Sequence, residues 1–249
     1  MGDAQRLYGL KAVVTNAADG IGEAVARTLR KHGASVLAVD IDISGVEQHY
    51  KSVKGIDGMF ADLREPGRQP ALIEAAAEKL GGIDILVCEY PMRPDQPIRD
   101  EGEVLDRLLG QRAELTMAAC RAALPYLKKS PSGRIINIGF LRSLFAARAN
   151  AACRLAEQNL AAITRALAAE TGEFGITANY VQPGAIMTPA SRDVFRKHQD
   201  LRDFCIAHSA AGRLGEPVDV AKVVLFLASD DSMFVSGTGI AVDGGRTDL

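Results

Sequence analysis

The sequence has no tryptophan, and only 5% of its 249 residues are aromatic, so a core must be built from aliphatic side chains. It has four cysteines, Cys88, Cys120, Cys153 and Cys205, too scattered for paired metal-ligand spacing. Neither a disulfide framework nor a metal site is expected; reduced thiols in a cytoplasmic protein are. No uncharged apolar run reaches the roughly 18 residues of a membrane span. The N-terminal MGDAQRLYGLKAVVT lacks the apolar stretch of a secretory signal. With a net charge of −2, neither nucleic acid nor an anionic membrane is an expected partner. Arg192, Arg196, Lys197 and Arg202 form a basic cluster, but acids are interleaved, as on a solvated helix face. There is no internal repeat, no low-complexity linker and no marked domain boundary. One soluble α/β domain over residues 1–249 is the expectation.

What is present is a regular alternation. LKAVVT (10–15) is a short β-branched run, followed by NAADGIG. EAVARTLRKHG (23–33) has helical spacing and stops on Gly33. ASVLAVD (34–40) reads as a second buried strand, completing a βαβ unit of about 30 residues. Strands follow at 58–63, 83–90, 134–140, 176–184 and 239–245, and helices at 70–82, 103–130, 152–171 and 218–229. Seven apolar strands separated by helices predict a doubly wound parallel sheet of the Rossmann type, covered on both faces. Ligands in such sheets bind beyond the carboxyl ends of the strands.

TNAADGIG (15–22) lies where a dinucleotide phosphate would bind, and Gly20 and Gly22 would let backbone approach a pyrophosphate. Asp40 ends the second strand. An acid there can accept from both hydroxyls of an adenosine ribose and repels a 2′-phosphate, which favours NAD over NADP.

The order of elements, TNAADGIG, the Pro-Gly of VQPGAIMTP, GRLGEPVDVAKVVLFLAS and SGTGIAVDGG together resemble the short-chain dehydrogenase/reductase family. The resemblance covers nearly the whole chain. It implies that Thr15, Gly20, Ile21 and Gly22 belong to the cofactor turn, with Asn16 in place of the first glycine. It implies that Asp62, followed by Leu63, touches adenine. It implies that Pro183, Gly184, Ile186 and Thr188 hold the nicotinamide amide. It also implies a segment covering the substrate, at about 189–212.

Other positions depart from the family pattern. Cys88, Glu89, Tyr90 and Pro91 stand where Asn-Asn-Ala-Gly is usual, and Tyr90 and Pro91 threaten to fill the space beside the nicotinamide ribose. Of the catalytic set, Arg112 stands at the asparagine, Phe140 at the serine, Cys153 at the tyrosine and Glu157 at the lysine. If the serine position is off by one, it holds Gly139; Ser143 is the nearest hydroxyl. A carboxylate beside Cys153 keeps it a thiol and disfavours a developing alkoxide. Arg112 and Glu157 have exchanged charge character, which predicts a salt bridge between them; solvent-exposed drift is the alternative. Tyr90 is a conceivable substitute proton donor, while Tyr126 and Tyr180 suit core packing. His198 and His208 are candidates to pair with Cys153; unremarkable loop histidines are the alternative.

Three functions are compatible with these residues. One is a family member that binds NAD(H) without the usual catalysis. Another is a lyase, isomerase or hydrolase using the old cleft, with Glu157 as base and Arg112 as anion clamp. The third is an oxidoreductase with a rearranged proton donor. The resemblance implies a homotetramer, with Ala118, Ala122, Leu160 and Ala161 suited to one interface and the last helix and strand to the other; a hetero-oligomer with an active relative is the alternative.

Overall fold

The structure, a computed structural model, describes residues 6–62, 65, 67–90, 101–139 and 151–246; within 101–111 and 151–156 the description covers backbone alone. Strand β1 (Lys11–Thr15) has parallel neighbours on both sides, β2 (Ser35–Asp40) and β4 (Ile85–Cys88). The sheet continues outward through β3 (Ile56–Phe60) on one side. On the other side it continues through β5 (Arg134–Ile138), β6 (Thr177–Pro183) and β7 (Gly239–Val242). The seven strands run in the order β3-β2-β1-β4-β5-β6-β7. The order reverses between β1 and β4, so the crevice of a doubly wound sheet opens at the carboxyl ends of those two strands.

Successive strand residues serve opposite faces. In β1, Ala12 and Val14 join a core with Val25 and Leu29 of α1 (Gly20–Lys31) and Val220 and Val224 of α8 (Pro217–Ala228). Val13 joins a second core on the other face, with Ile73 of α3 (Gln69–Leu80). Leu115 and Leu127 of α4 (Glu101–Leu127) and Leu167 of α5 (Ala151–Thr171) complete it. Each fully buried valine, leucine or isoleucine among them contributes about 1.5–3 kcal/mol.

The predicted strands and helices are all present, shifted by a few residues at their ends. The third strand, for example, is expected at 58–63 and found at Ile56–Phe60. Three helices escaped the sequence reading. One is α2 (Ile43–Tyr50), whose interior Gly45 hides the helical signal while Asp42 caps it by accepting from the Gly45 N–H. The others, α6 (Pro189–Lys197) and α7 (Gln199–Ala207), fill most of the expected covering segment. There Arg192, Arg196, Lys197 and Arg202 are exposed and Arg196 pairs with Asp193 at 2.8 Å, a solvated face as read. Among the described residues, no helix is long and apolar enough to cross a membrane.

Candidate functional site

The glycine turn leaves β1 at Thr15, which is buried. Its hydroxyl accepts the Glu89 N–H at 2.8 Å and donates to the Glu89 carbonyl, tying the ends of β1 and β4 together at the crevice. Asn16 takes the left-handed φ of 53°, which asparagine tolerates better than most residues. At Gly22 a Cβ would fall 2.0 Å from the Asn16 carbonyl oxygen, so no larger residue fits under the turn. Gly20 also has positive φ, 60°, and a Cβ there would lie 3.5 Å from Thr188. The turn and the Thr188 segment therefore face each other across the crevice.

Asp40 is buried at the end of β2, and both carboxylate oxygens are engaged. One accepts from Ala18 N–H at 2.9 Å and the other from Asp42 N–H at 2.9 Å. The acid thus holds the glycine turn from the side. Ile21 is buried in the core below the turn. Asp62 lies half-buried after β3; Leu63 lies outside the described residues. Pro183 ends β6, and Gly184 packs so closely on Asp243 that a Cβ would come within 2.6 Å. Ile186 is buried and bridges to Gly215. Thr188 caps α6, its hydroxyl accepting the Ser191 N–H at 3.1 Å.

The catalytic positions are less completely described. Arg112 is buried on α4 and donates to the Ile138 carbonyl at the end of β5, at 2.6 Å. Burial pulls its guanidinium below the usual range, and the charge of Glu89 pushes it back up. Among the described residues no ion pair joins Arg112 to Glu157, so the predicted salt bridge is corrected. The reason is the direction of the side chain: Arg112 turns to the β5 carbonyl and to Glu89, while Glu157 is half-buried on α5. Phe140, Ser143, Pro91 and the Cys153 side chain lie outside the described residues.

Tyr90 requires a second correction. Its ring is buried in the core with Leu115 and Ala119, and its hydroxyl donates to the Leu115 carbonyl at 3.0 Å. Burial raises its pKa well above the usual tyrosine value. It is a packing residue under α4, neither a plug in the cleft nor a proton donor to it. Cys88 and Cys120 are buried nearby, and the Cys120 thiol donates to the Asn137 side-chain Oδ1 at 3.6 Å. The Cys88 thiol, then burial, raises the Cys120 pKa, which keeps it a thiol. His208 is committed to its own helix end, 2.9 Å from the Phe204 carbonyl and stacked on the Phe204 ring; His198 is exposed between α6 and α7. Tyr126 and Tyr180 pack as expected, the latter against Gly239.

A family model described as enoyl-(acyl carrier protein) reductase matches residues 16–247. The chain belongs to the short-chain dehydrogenase/reductase family. It is 32% identical to (2S)-[(R)-hydroxy(phenyl)methyl]succinyl-CoA dehydrogenase subunit BbsD of Thauera aromatica, over 95% of this chain and 96% of that one. It is 28% identical to the 3-oxoacyl-[acyl-carrier-protein] reductase FabG of Thermotoga maritima, over 96% and 98%. The crystal structure of a short-chain dehydrogenase/reductase, described as glucose/ribitol dehydrogenase, from Brucella melitensis superposes with a TM-score of 0.84. It does so at 26% identity, covering 98% of this chain and 99% of that one.

Against this short-chain dehydrogenase/reductase background, Glu89 is the residue that sequence reading passed over. Its Oε2 is sealed from solvent and, among the described residues, has no hydrogen-bond partner. Burial, and then the charges of Asp19 and Asp40, raise its pKa to about 8, against the opposing pull of Arg112 and Asn16. The available signal was an acid next to the strand end at the point where the strand order reverses.

Proposed function

We propose that this short-chain dehydrogenase/reductase homologue binds a nicotinamide dinucleotide, NAD(H) in preference to NADP(H), and does not carry out ordinary alcohol–ketone interconversion. The observation that carries the reading is the Asp40 carboxylate at the end of β2 beside the glycine turn. Each of its oxygens accepts one backbone N–H and keeps a lone pair for a ribose hydroxyl. Its charge opposes a 2′-phosphate. The residues present fit the group: Asn16, Gly20, Ile21 and Gly22 would hold the pyrophosphate, Asp40 and Asp62 with Leu63 the adenosine, and Pro183, Gly184, Ile186 and Thr188 the nicotinamide amide. When bound, such a cofactor supplies hydride transfer.

The catalytic half of the proposal rests on Arg112, Phe140, Cys153 and Glu157. A phenyl ring at the serine position offers no hydrogen bond to a substrate oxygen, and loss of one such donor costs about 3–4 kcal/mol. Losing general acid–base help costs roughly 10²–10⁴ in rate. Arg112, held by the Ile138 carbonyl, supports the same reading.

We further propose a cytoplasmic homotetramer, or a mixed assembly with an active relative. Exposed Val218, Met233 and Phe234 at and after α8 support one interface. Leu160 and Ala161 are already buried within one chain, so the other must rely on neighbouring residues such as the partly exposed Ala118 and Ala122. The Thauera relative is by name a subunit.

The test is a titration of the purified chain with NADH and NADPH, read by melting temperature and by turnover on a panel of ketones. NADH stabilisation without turnover supports the proposal. Ketone-dependent NADH oxidation at rates ordinary for enzymes contradicts the catalytic half, and absence of any stabilisation contradicts the binding half.

A further inference from the structure

The crevice holds an acid that the catalytic and cofactor positions do not account for. Glu89 follows β4 directly, at the reversal of strand order, with its backbone pinned by the Thr15 hydroxyl. Its Oε2 is enclosed and, among the described residues, unpartnered. An unmatched buried acceptor of this kind costs about 1–3 kcal/mol unless it gains a proton and a partner. The charged and polar groups facing it come from three other elements. The glycine turn presents Asn16 and Asp19, the end of β2 presents Asp40, and α4 presents Arg112. With Glu89 neutral, these sum to two acids and one guanidinium. With Glu89 ionised there are three acids, and the guanidinium is no longer available to an incoming anion.

We propose that Glu89, together with Arg112, is a proton-controlled binding residue for the phosphate-bearing ligand of this crevice. As a neutral carboxylic acid it leaves Arg112 to attract the anion; as a carboxylate it cancels Arg112 and repels the anion. The proposal deepens the dinucleotide reading and rests on it for the ligand class. Its physical basis is the enclosed position between turn, strand end and α4, and the rise of the Glu89 carboxyl to about 8 is consistent with it.

The test compares the affinity of the wild-type chain and a Glu89→Gln variant for NADH and for ADP-ribose between pH 6 and pH 9.5. Neither probe changes charge in that range, so any pH dependence belongs to the protein. Wild-type affinity for both probes should fall by at least about tenfold between pH 7 and pH 9.5, as linkage to one proton requires. The variant, which keeps a donor without a charge, should be flat. A flat wild-type profile, or an equal fall in the variant, overturns the proposal while leaving the dinucleotide reading intact. The expected profile with ADP-ribose but no NADH binding overturns the nicotinamide reading and leaves the proposal standing. Failure of both probes to bind at pH 7 overturns both. If the variant does not fold, carboxyl-carbon NMR of the wild-type decides: Glu89 should titrate near pH 8, and a Glu89 already ionised at pH 6 overturns the proposal.

Discussion

Asp40 and Ala18 are joined by a hydrogen bond of 2.9 Å from backbone N–H to buried carboxylate, so the end of β2 fixes the shape of the glycine turn that follows β1. One side chain thereby does structural work for the turn while lying where a ribose would bind. Replacing Asp40 by alanine strands the N–H groups of Ala18 and Asp42, and hydrogen bonds to a charged group are worth about 1.5–3 kcal/mol. We expect Asp40→Ala to lower the melting temperature by several degrees even without ligand. Asp40→Asn, which keeps one acceptor oxygen, should lose less. Calorimetric melting of the apo chain checks this; unchanged melting in the alanine variant would show that the turn holds itself.

Gly22 and Gly172 form a matched contrast. A Cβ at Gly22 would sit 2.0 Å from the Asn16 carbonyl oxygen, whereas nothing lies within 4 Å of one at Gly172, whose φ is not positive. Gly22→Ala should cost about 3 kcal/mol, the upper end of overpacking penalties. Gly172→Ala should be neutral or stabilising by about 0.4–1 kcal/mol, through the unfolded chain. Urea unfolding of the two variants decides the contrast, and equal effects would contradict the geometry.

Tyr90 donates to the Leu115 carbonyl from within the core beneath α4. Tyr90→Phe should therefore cost about 1 kcal/mol of stability and leave NADH affinity unchanged. A several-fold change in affinity without loss of stability would return Tyr90 to the cleft.

The pH dependence of stability follows from Glu89, whose folded pKa of about 8 lies above its ordinary 4.5. Between those values the folded chain holds a proton that the unfolded chain has released, so stability falls as pH rises through that window. The contribution is fully present below about pH 4.5 and is lost once pH passes about 8. Relative to wild type, Glu89→Gln should gain melting temperature progressively from pH 5 to pH 8 and then level off. A constant difference across that range would place an ordinary carboxylate at Glu89.

The scaffold was legible because its signals are local. LKAVVT, ASVLAVD and the stop at Gly33 each declare themselves within a few residues, and the alternation implies the sheet. The helix at Ile43–Tyr50 was not, because Gly45 interrupts its interior and its cap lies in the side chain of Asp42. The site was legible by position but not by direction. Arg112 was expected to meet Glu157, yet the Ile138 carbonyl of β5, the next strand along the chain, claims its guanidinium. Tyr90 was placed correctly at a strand end, but which face its ring takes depends on the room beside Leu115 and Ala119. Glu89 carried no sequence signal of burial, since its enclosure is made by Asn16, Asp19, Asp40 and Arg112 from separate elements.

The most direct measurement is the ratio of dissociation constants for NADH and NADPH, taken by calorimetry at pH 7 on the full chain. The account predicts that NADH binds and that NADPH binds at least about tenfold more weakly, because the 2′-phosphate must approach the Asp40 carboxylate. Equal affinity, a preference for NADPH, or no heat from either would contradict it.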